Sequence, residues 1–201
     1  MKGKSHALLG QYLAGRNLSG CSQLRVRAFL FGCVQPDRNP ATYLKGSLRR
    51  QWLRGHNWEN AQRYMQRVSG RLERRRTLHI WDYYTLGKLV HYTTDAFTYA
   101  HNAAFPTDLR IHKAYEAKLQ AYFLQYLAGS PEIRGAGAVP VMEAVPQQHW
   151  TYLQCLARIR RDTAFSDRVC LGILDRLIPA ACAYYHRSGC IRGNMGRFST
   201  Y

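Results

Sequence analysis

Two residue pairs at a spacing of four place a histidine and a carboxylate on the same side of a helix. They are His91 with Asp95 and His112 with Glu116, and His101 lies between them. Residues i and i+4 are neighbours on a helix surface, so each pair can aim a nitrogen and an oxygen donor at one point. Imidazole nitrogens and carboxylate oxygens are common ligands of divalent metals. The fold of this chain therefore has to bring helices together around these side chains.

Three further donors, His6, Asp37 and His56, precede these pairs. Together the donors exceed the four ligands that one zinc ion usually takes. His91 lies in a mostly apolar helical stretch, where burial of an unpaired imidazole or carboxylate is costly. A metal would supply the missing partner. The pattern therefore predicts a metal cluster rather than a single ion.

Apolar residues recur at spacings of three and four through most of the chain, whereas the alternation typical of strands is scarce. The predicted fold class is all-α, a single-domain helical bundle over residues 1–190 followed by a basic flexible tail at 191–201. Two prolines around Asp37 predict a loop at 34–40. The predicted helices cover residues 5–13, 22–31, 58–76, 83–100, 111–128, 146–162 and 166–187.

Other side chains that often mark functional sites have plainer interpretations here. The remaining histidines have no partner at ligand spacing, and we interpret them as structural or surface residues: His79, His149 and His186. The tryptophans are interpreted as core residues rather than as a lipid anchor: Trp52, Trp58, Trp81 and Trp150.

The chain carries 29 lysines and arginines against 12 aspartates and glutamates, a formal net charge of +17. Such an excess favours anionic partners, namely acidic phospholipid surfaces, phosphate esters or nucleic acid. The arginine-rich segment 58–76 is a candidate surface for an anionic membrane, although a solvated helix face is the plainer interpretation. No apolar leader precedes His6, and charges and Pro179 interrupt the apolar stretch 169–185. We therefore expect a cytoplasmic protein, peripheral at the membrane at most, with no obligate protein partner.

The local sequence around the donors is as informative as their spacing. The motifs in order are Ser5-His6, Pro36-Asp37-x-Asn39-Pro40, Gly55-His56, Leu86-Gly-x-x-x-His91-Tyr-x-x-Asp95, Ala100-His101-Asn102 and His112-x-x-Tyr115-Glu116. This order resembles the zinc-dependent phospholipase C family. The resemblance covers about residues 5–120 and is most specific over 86–116.

The resemblance implies an all-α bundle with three zinc ions in one cleft. The ligand sets that it implies are His56, His91 and Asp95 for one zinc, His101, His112 and Glu116 for another, and His6 for a third, with Asp95 as a bridge. Asp37 corresponds to the family's aspartate that contacts the attacking water, as general base or water-orienting ligand. The implied reaction is hydrolysis of phospholipid phosphodiesters, since zinc activates water and polarises phosphoryl oxygens.

Two positions depart from the family pattern. Secreted members use a new N-terminal tryptophan as a ligand of the third zinc, and no tryptophan precedes His6. We therefore expect two zinc ions, with a third position that is empty, weak, or completed by water or a rearranged N-terminus. Members that cleave phosphatidylcholine have an aromatic residue where this chain has Arg38, which predicts a head-group contact unfavourable to choline.

Two other functions stay open. Single-strand zinc nucleases share the all-α trinuclear architecture, and a positive chain suits a polyanion. Their last motif usually ends in aspartate, whereas here it ends in Glu116. The second alternative is a non-catalytic, zinc-stabilised binding module, because a count of ligands does not distinguish an open metal position from a closed one.

Overall fold

The computed structural model describes residues 1–42, 56–102, 108–129 and 141–154, which form six α-helices and two 3₁₀ turns. The helices are α1 Gly3–Asn17, α2 Gln23–Arg38, α3 Trp58–Glu73, α4 Ile80–Ala96, α5 Leu109–Ala128 and α6 Val141–Gln154. The 3₁₀ turns span Pro40–Thr42 and Tyr99–His101. These residues contain no strand, and the all-α prediction is confirmed.

Helix α4 is the centre of the bundle, because almost every residue from Tyr83 to Ala96 is buried. Its closest neighbour is α2, and two glycines set that distance. A Cβ atom on Gly32 would collide with the backbone oxygen of Tyr84, and one on Gly87 with the backbone oxygen of Phe29. The two backbones therefore touch directly, which brings the C-terminal half of α2 against the turn of α4 that carries His91.

Helix α3 has the clearest division between a buried and an exposed side. Ala61, Met65, Val68 and Leu72 are buried at spacings of four, three and four, whereas the arginines between them are exposed. The side chain of Asn57 caps the helix by accepting a hydrogen bond from the Asn60 amide at 3.1 Å. This cap fixes the backbone immediately after His56.

The start of α4 is tied to the end of α3. His79 and Asp82 form a reciprocal capping box, in which Asp82 accepts from the His79 amide at 2.9 Å. Arg75 donates to the same Asp82 oxygen at 3.0 Å. His79 thus has a structural role, as predicted, and α4 begins three residues earlier than the sequence indicates.

The predicted loop at 34–40 is wrong over its first five residues. Helix α2 continues through Pro36 to Arg38, so Asp37 lies on a helical turn rather than in a loop. Proline usually ends a helix because it lacks an N–H and crowds the preceding turn. Here the contact of α2 with α4 holds the turn in place, and the Thr42 hydroxyl donates to the Pro36 carbonyl at 2.5 Å.

Several other predicted helix boundaries differ from the structure, and some lie outside the described residues. The helix predicted to reach residue 100 ends at Ala96, and a 3₁₀ turn follows. Helix α6 begins at Val141, before its internal Pro146. The predicted helix 166–187, the end of the proposed domain and the tail 191–201 lie outside the described residues. Within the described part, no helix is long and apolar enough to cross a membrane.

Candidate metal centre

Four donors meet in the interior between α2, α3 and α4, and we call Asp37, His56, His91 and Asp95 the inner group. Helix α4 supplies His91 and Asp95 one turn apart, and both are fully buried. Helix α2 supplies Asp37 from its last turn, and His56 comes from the residue before the α3 cap. Only Asp37 reaches solvent, with 17% of its side chain exposed.

The two histidines of the inner group lie close to both of its carboxylates. His91 Nε2 lies 3.2 Å from Asp95 Oδ2 and 3.6 Å from Asp37 Oδ1. His56 Nδ1 lies 3.5 Å from Asp95 Oδ2, 3.6 Å from Asp37 Oδ1 and 3.2 Å from His91 Nε2. Ligands of a tetrahedral zinc with bonds of about 2.0–2.2 Å lie about 3.3–3.6 Å apart. Asp37, His56 and His91 therefore form a group that could hold a zinc ion, and Asp95 Oδ2 lies within reach of both histidines.

Hydrogen bonds behind the inner group set the histidine tautomers. His91 Nδ1 lies 2.9 Å from the carbonyl oxygen of Cys33. A carbonyl can only accept, so Nδ1 carries the proton and Nε2 faces the centre. His56 Nε2 lies 2.9 Å from the Thr42 hydroxyl, whose own proton goes to a backbone carbonyl. His56 therefore donates from Nε2 and turns Nδ1 to the centre, an orientation that metal-binding histidines usually need.

Three more donors, His101, His112 and Glu116, form what we call the outer group. His112 Nε2 lies 3.3 Å and His101 Nε2 3.7 Å from Glu116 Oε1. The 3₁₀ turn after α4 supplies His101, and the first turns of α5 supply the other two. The exposed fraction of the side chain is 13% for His101, 32% for His112 and 15% for Glu116. The outer group is thus open to solvent where the inner group is closed.

Asp95 joins the two groups, because its oxygens face opposite sides. Oδ2 faces His56 and His91, whereas Oδ1 lies 3.1 Å from His6 Nε2 and 3.6 Å from His101 Nε2. The α-amino nitrogen of Met1 lies 2.8 Å from Asp95 Oδ1, 2.5 Å from His101 Nε2 and 3.3 Å from Glu116. A third set of donors, made by His6, Asp95 and this amine, therefore lies between the inner and outer groups.

A sequence model of the zinc-dependent phospholipase C family matches residues 5–167. The chain belongs to this family. The match extends well beyond the motifs around the donors, and it supports a zinc hydrolase of phospholipids. No curated protein and no solved structure matches the chain.

Electrostatics in this family member keep Asp95 ionised and His6 and His101 neutral, whereas Asp95 outweighs burial and raises the pKa of His91, so a metal there would displace a proton. Burial alone would raise the pKa of Asp95, but His101, the Met1 amine and nearby imidazoles hold it well below its usual value. Burial and the neighbouring His91 lower the pKa of His6 to about 4, and burial lowers the pKa of His101. Ionised acids with neutral histidines are the ligand forms that a divalent cation binds.

Two carboxylate oxygens show whether the site would be stabilised by a zinc ion. Asp95 Oδ2 and Asp37 Oδ2 are buried, and neither accepts a hydrogen bond within the described residues. A buried carboxylate oxygen without a partner is costly, and a cation at the inner group would remove that cost for Asp95. Nitrogen and oxygen donors without a thiolate suit zinc, so the residues of this family member fit the ion that the family requires.

The structure brings all eight sequence-predicted ligands into the three donor sets: His6, Asp37, His56, His91, Asp95, His101, His112 and Glu116. Arg38 is exposed beside Asp37 and belongs to none of them. Sequence reasoning missed the supporting groups, namely the Cys33 carbonyl and the Thr42 hydroxyl. It also left the Met1 amine as one alternative among several, and the closeness of His6 to the chain start was the available signal.

Proposed function

We propose that this chain hydrolyses phospholipids at the phosphodiester bond on the diacylglycerol side, as a phospholipase C, with zinc in the inner and outer groups. The observation that carries the proposal is the shared Asp95, which faces both groups with separate oxygens. Two divalent cations bridged by one carboxylate are a common arrangement for phosphodiester hydrolysis. Zinc held there would supply Lewis acidity at the phosphoryl oxygens and a nucleophilic water at neutral pH.

Asp37 is the residue of the inner group that we assign to the attacking water. Its Oδ1 faces His56 and His91 at 3.6 Å, whereas its Oδ2 accepts no hydrogen bond from the described residues. The side chain also reaches solvent, which the other three members do not. A carboxylate in this position can orient a water by one oxygen and accept its proton.

We propose that the open side of the outer group receives the substrate phosphate. His112 is the most exposed of the donors, and Glu116 lies between it and the Met1 amine. Arg38 lies on the last turn of α2, next to Asp37 and exposed. Because a guanidinium repels a quaternary ammonium, we expect head groups that are anionic or uncharged to react faster than choline.

The third donor set, made by His6, Asp95 and the Met1 amine, determines whether the chain binds two or three zinc ions. The nearby carboxylates of Asp95 and Glu116 raise the pKa of the Met1 amine despite its burial, so without metal it is an ammonium ion paired with them. Metal and proton compete for such a nitrogen. We propose that a third zinc binds His6, Asp95 and this amine, more weakly than the other two.

Turnover of a soluble phosphodiester tests the proposal with metal content measured in the same samples. We expect zinc-dependent release of p-nitrophenol from a phosphocholine-free phosphodiester analogue, and a loss of at least about 100-fold in Asp37→Asn. Glu143→Gln, an exposed carboxylate on α6, is the matched control and should keep full turnover. Faster hydrolysis of single-stranded DNA than of any phospholipid would favour a nuclease. Bound zinc without turnover on either substrate would favour a binding module.

A further inference from the structure

An aromatic cluster lies exposed where α2 and α4 cross. Trp81 is 76% exposed and Phe31 53% exposed. The two rings are joined through Tyr84, whose centroid lies 5.8 Å from that of Phe31 and 6.0 Å from that of Trp81. The interpretation of Trp81 as a core residue is therefore wrong, and so is that of Trp150, which is 65% exposed on α6. Large contiguous apolar surfaces on a folded chain usually mark an interaction site.

Cations border this cluster on the side of α3. Lys88 Nζ lies 5.6 Å from the Tyr84 ring centroid, and Arg71 reaches Thr85, one turn after Trp81, at 3.5 Å. Arg67 and Arg71 on α3 and Arg74 directly after its end follow one another at spacings of four and three, and all three are exposed. Arg67 and Arg74 form no ion pair within the part of the chain that the structure describes. We call the three rings with Lys88 and these arginines the aromatic–arginine face.

We propose that the aromatic–arginine face docks this chain onto an anionic phospholipid bilayer. Arginines near a membrane surface are attracted to acidic head groups, and tryptophan and other aromatic rings partition into the head-group region. The face combines both features, and the chain as a whole carries a net charge of +17. Neither feature contributes a donor to the metal centre.

Helix α2 carries residues of both the face and the metal centre. Phe31 and Asp37 are six residues apart on this helix, which corresponds to about 9 Å along its axis. After Phe31, the next exposed residue of α2 is Arg38, beside Asp37. Docking through Phe31 would thus hold the end of α2 that carries Asp37 close to the lipid surface. This last step rests on the proposed function, whereas the docking itself does not.

Co-sedimentation with vesicles measures the docking separately from turnover. The full chain, loaded with zinc, is mixed with phosphatidylcholine vesicles with or without cholesterol sulfate, an anionic lipid that has no phosphodiester. We expect binding only with the anionic lipid, and its loss in 0.5 M salt. Arg67→Gln/Arg74→Gln should weaken partitioning about 25-fold, at about fivefold per arginine. Trp81→Ala/Phe31→Ala should weaken it at least about tenfold.

Matched variants on other surfaces keep the test specific. Arg16→Gln/Lys118→Gln removes two exposed cations of α1 and α5, and Trp150→Ala removes the other exposed tryptophan; each should change partitioning less than twofold. Equal losses in the matched and the face variants would overturn the proposal. So would tight binding of single-stranded DNA that depends on Arg67 and Arg74 but not on Trp81, without vesicle binding. Normal turnover of a soluble substrate in the face variants would leave the proposed function intact in either case.

Discussion

The inner and outer groups contain the same kinds of ligand but are built in different ways. The inner group is buried, and side chains from α2, α4 and the segment before α3 converge on it. The outer group consists of one α5 pair at a spacing of four and a histidine from a short turn, all partly exposed. One group depends on tertiary packing, the other mostly on a single helix.

The difference has an energetic consequence. Water can solvate the outer donors when no metal is present, so that group costs little in an empty state. The inner donors have no such substitute, and Asp95 Oδ2 is buried without accepting a hydrogen bond from the described residues. We therefore expect zinc at the inner group to stabilise the fold as well as to act in catalysis, and zinc at the outer group to contribute little to stability.

Alanine substitutions of one histidine in each group should show the largest contrast. His91→Ala leaves a buried cavity and removes a donor of the inner zinc, and should lower the free energy of unfolding of the zinc-loaded chain by about 3–5 kcal/mol. His112→Ala, at a site 32% exposed, should lower it by about 1–2 kcal/mol, mostly through weaker zinc binding. Urea unfolding followed by circular dichroism measures both. Equal losses in the two variants would contradict the expected difference in stabilisation between the buried and the open group.

The next prediction concerns the loss of stability at low pH, to which His149 should contribute. This residue is buried, its ring stacks on Trp58 at 4.2 Å, and its Nε2 lies 2.7 Å from Asn102 Oδ1, beside the turn that carries His101. Burial lowers the pKa of His149 to about 4. Between pH 6.5 and 4 the unfolded chain binds a proton that the folded chain does not, so stability falls as the pH falls through this window.

The predicted loss of stability from His149 is at most about 3.5 kcal/mol, at about 1.4 kcal/mol per pKa unit. Urea unfolding at pH 7 and pH 4.5 measures it, and His149→Gln provides the comparison, because glutamine does not titrate there. Other acids and histidines change the stability of both chains, so the relevant quantity is the difference between them. A pH dependence identical in the two chains would show that His149 is not the group responsible.

Local spacing made one part of this site predictable and left another part hidden. The pairs His91–Asp95 and His112–Glu116 follow from the geometry of any helix, and the boundaries predicted for the helices that carry them are wrong by at most four residues. The loop predicted around Asp37 was wrong because the rule for proline describes an isolated helix. In the folded chain, the glycine contact between α2 and α4 supports that turn.

The supporting groups were hidden for a different reason. The Cys33 carbonyl is a backbone atom, and the sequence carries no sign of which carbonyl a histidine will meet. Thr42 is an ordinary threonine until a turn places its hydroxyl against His56. Both depend on how α2 and its following turn pack on α4, which is a property of the tertiary fold rather than of any short motif.

Removal of the Thr42 hydroxyl tests the support of the inner group. In Thr42→Val, His56 Nε2 loses the acceptor at 2.9 Å, and the tautomer with Nδ1 free is no longer favoured. We expect the inner zinc to bind about 10–100-fold more weakly, as measured by competition with a chelator of known affinity. Tyr115→Phe is the matched change beside the outer group, where the hydroxyl accepts from the Tyr99 amide at 3.2 Å. It should weaken the outer zinc less than threefold.

The smallest expected effect concerns the amine between the two groups. A Gly-Ser extension before Met1 moves the terminal amine away from Asp95 and replaces it with an amide, which is a poor metal ligand because its lone pair is delocalised. We expect zinc content, measured by mass spectrometry of the purified chain, to fall from near three to near two equivalents. Turnover of a soluble phosphodiester should fall less than tenfold, since the inner and outer donors are unchanged. Three equivalents in the extended chain would show that the amine is not a ligand, and fewer than two would show that it supports the inner or outer group as well.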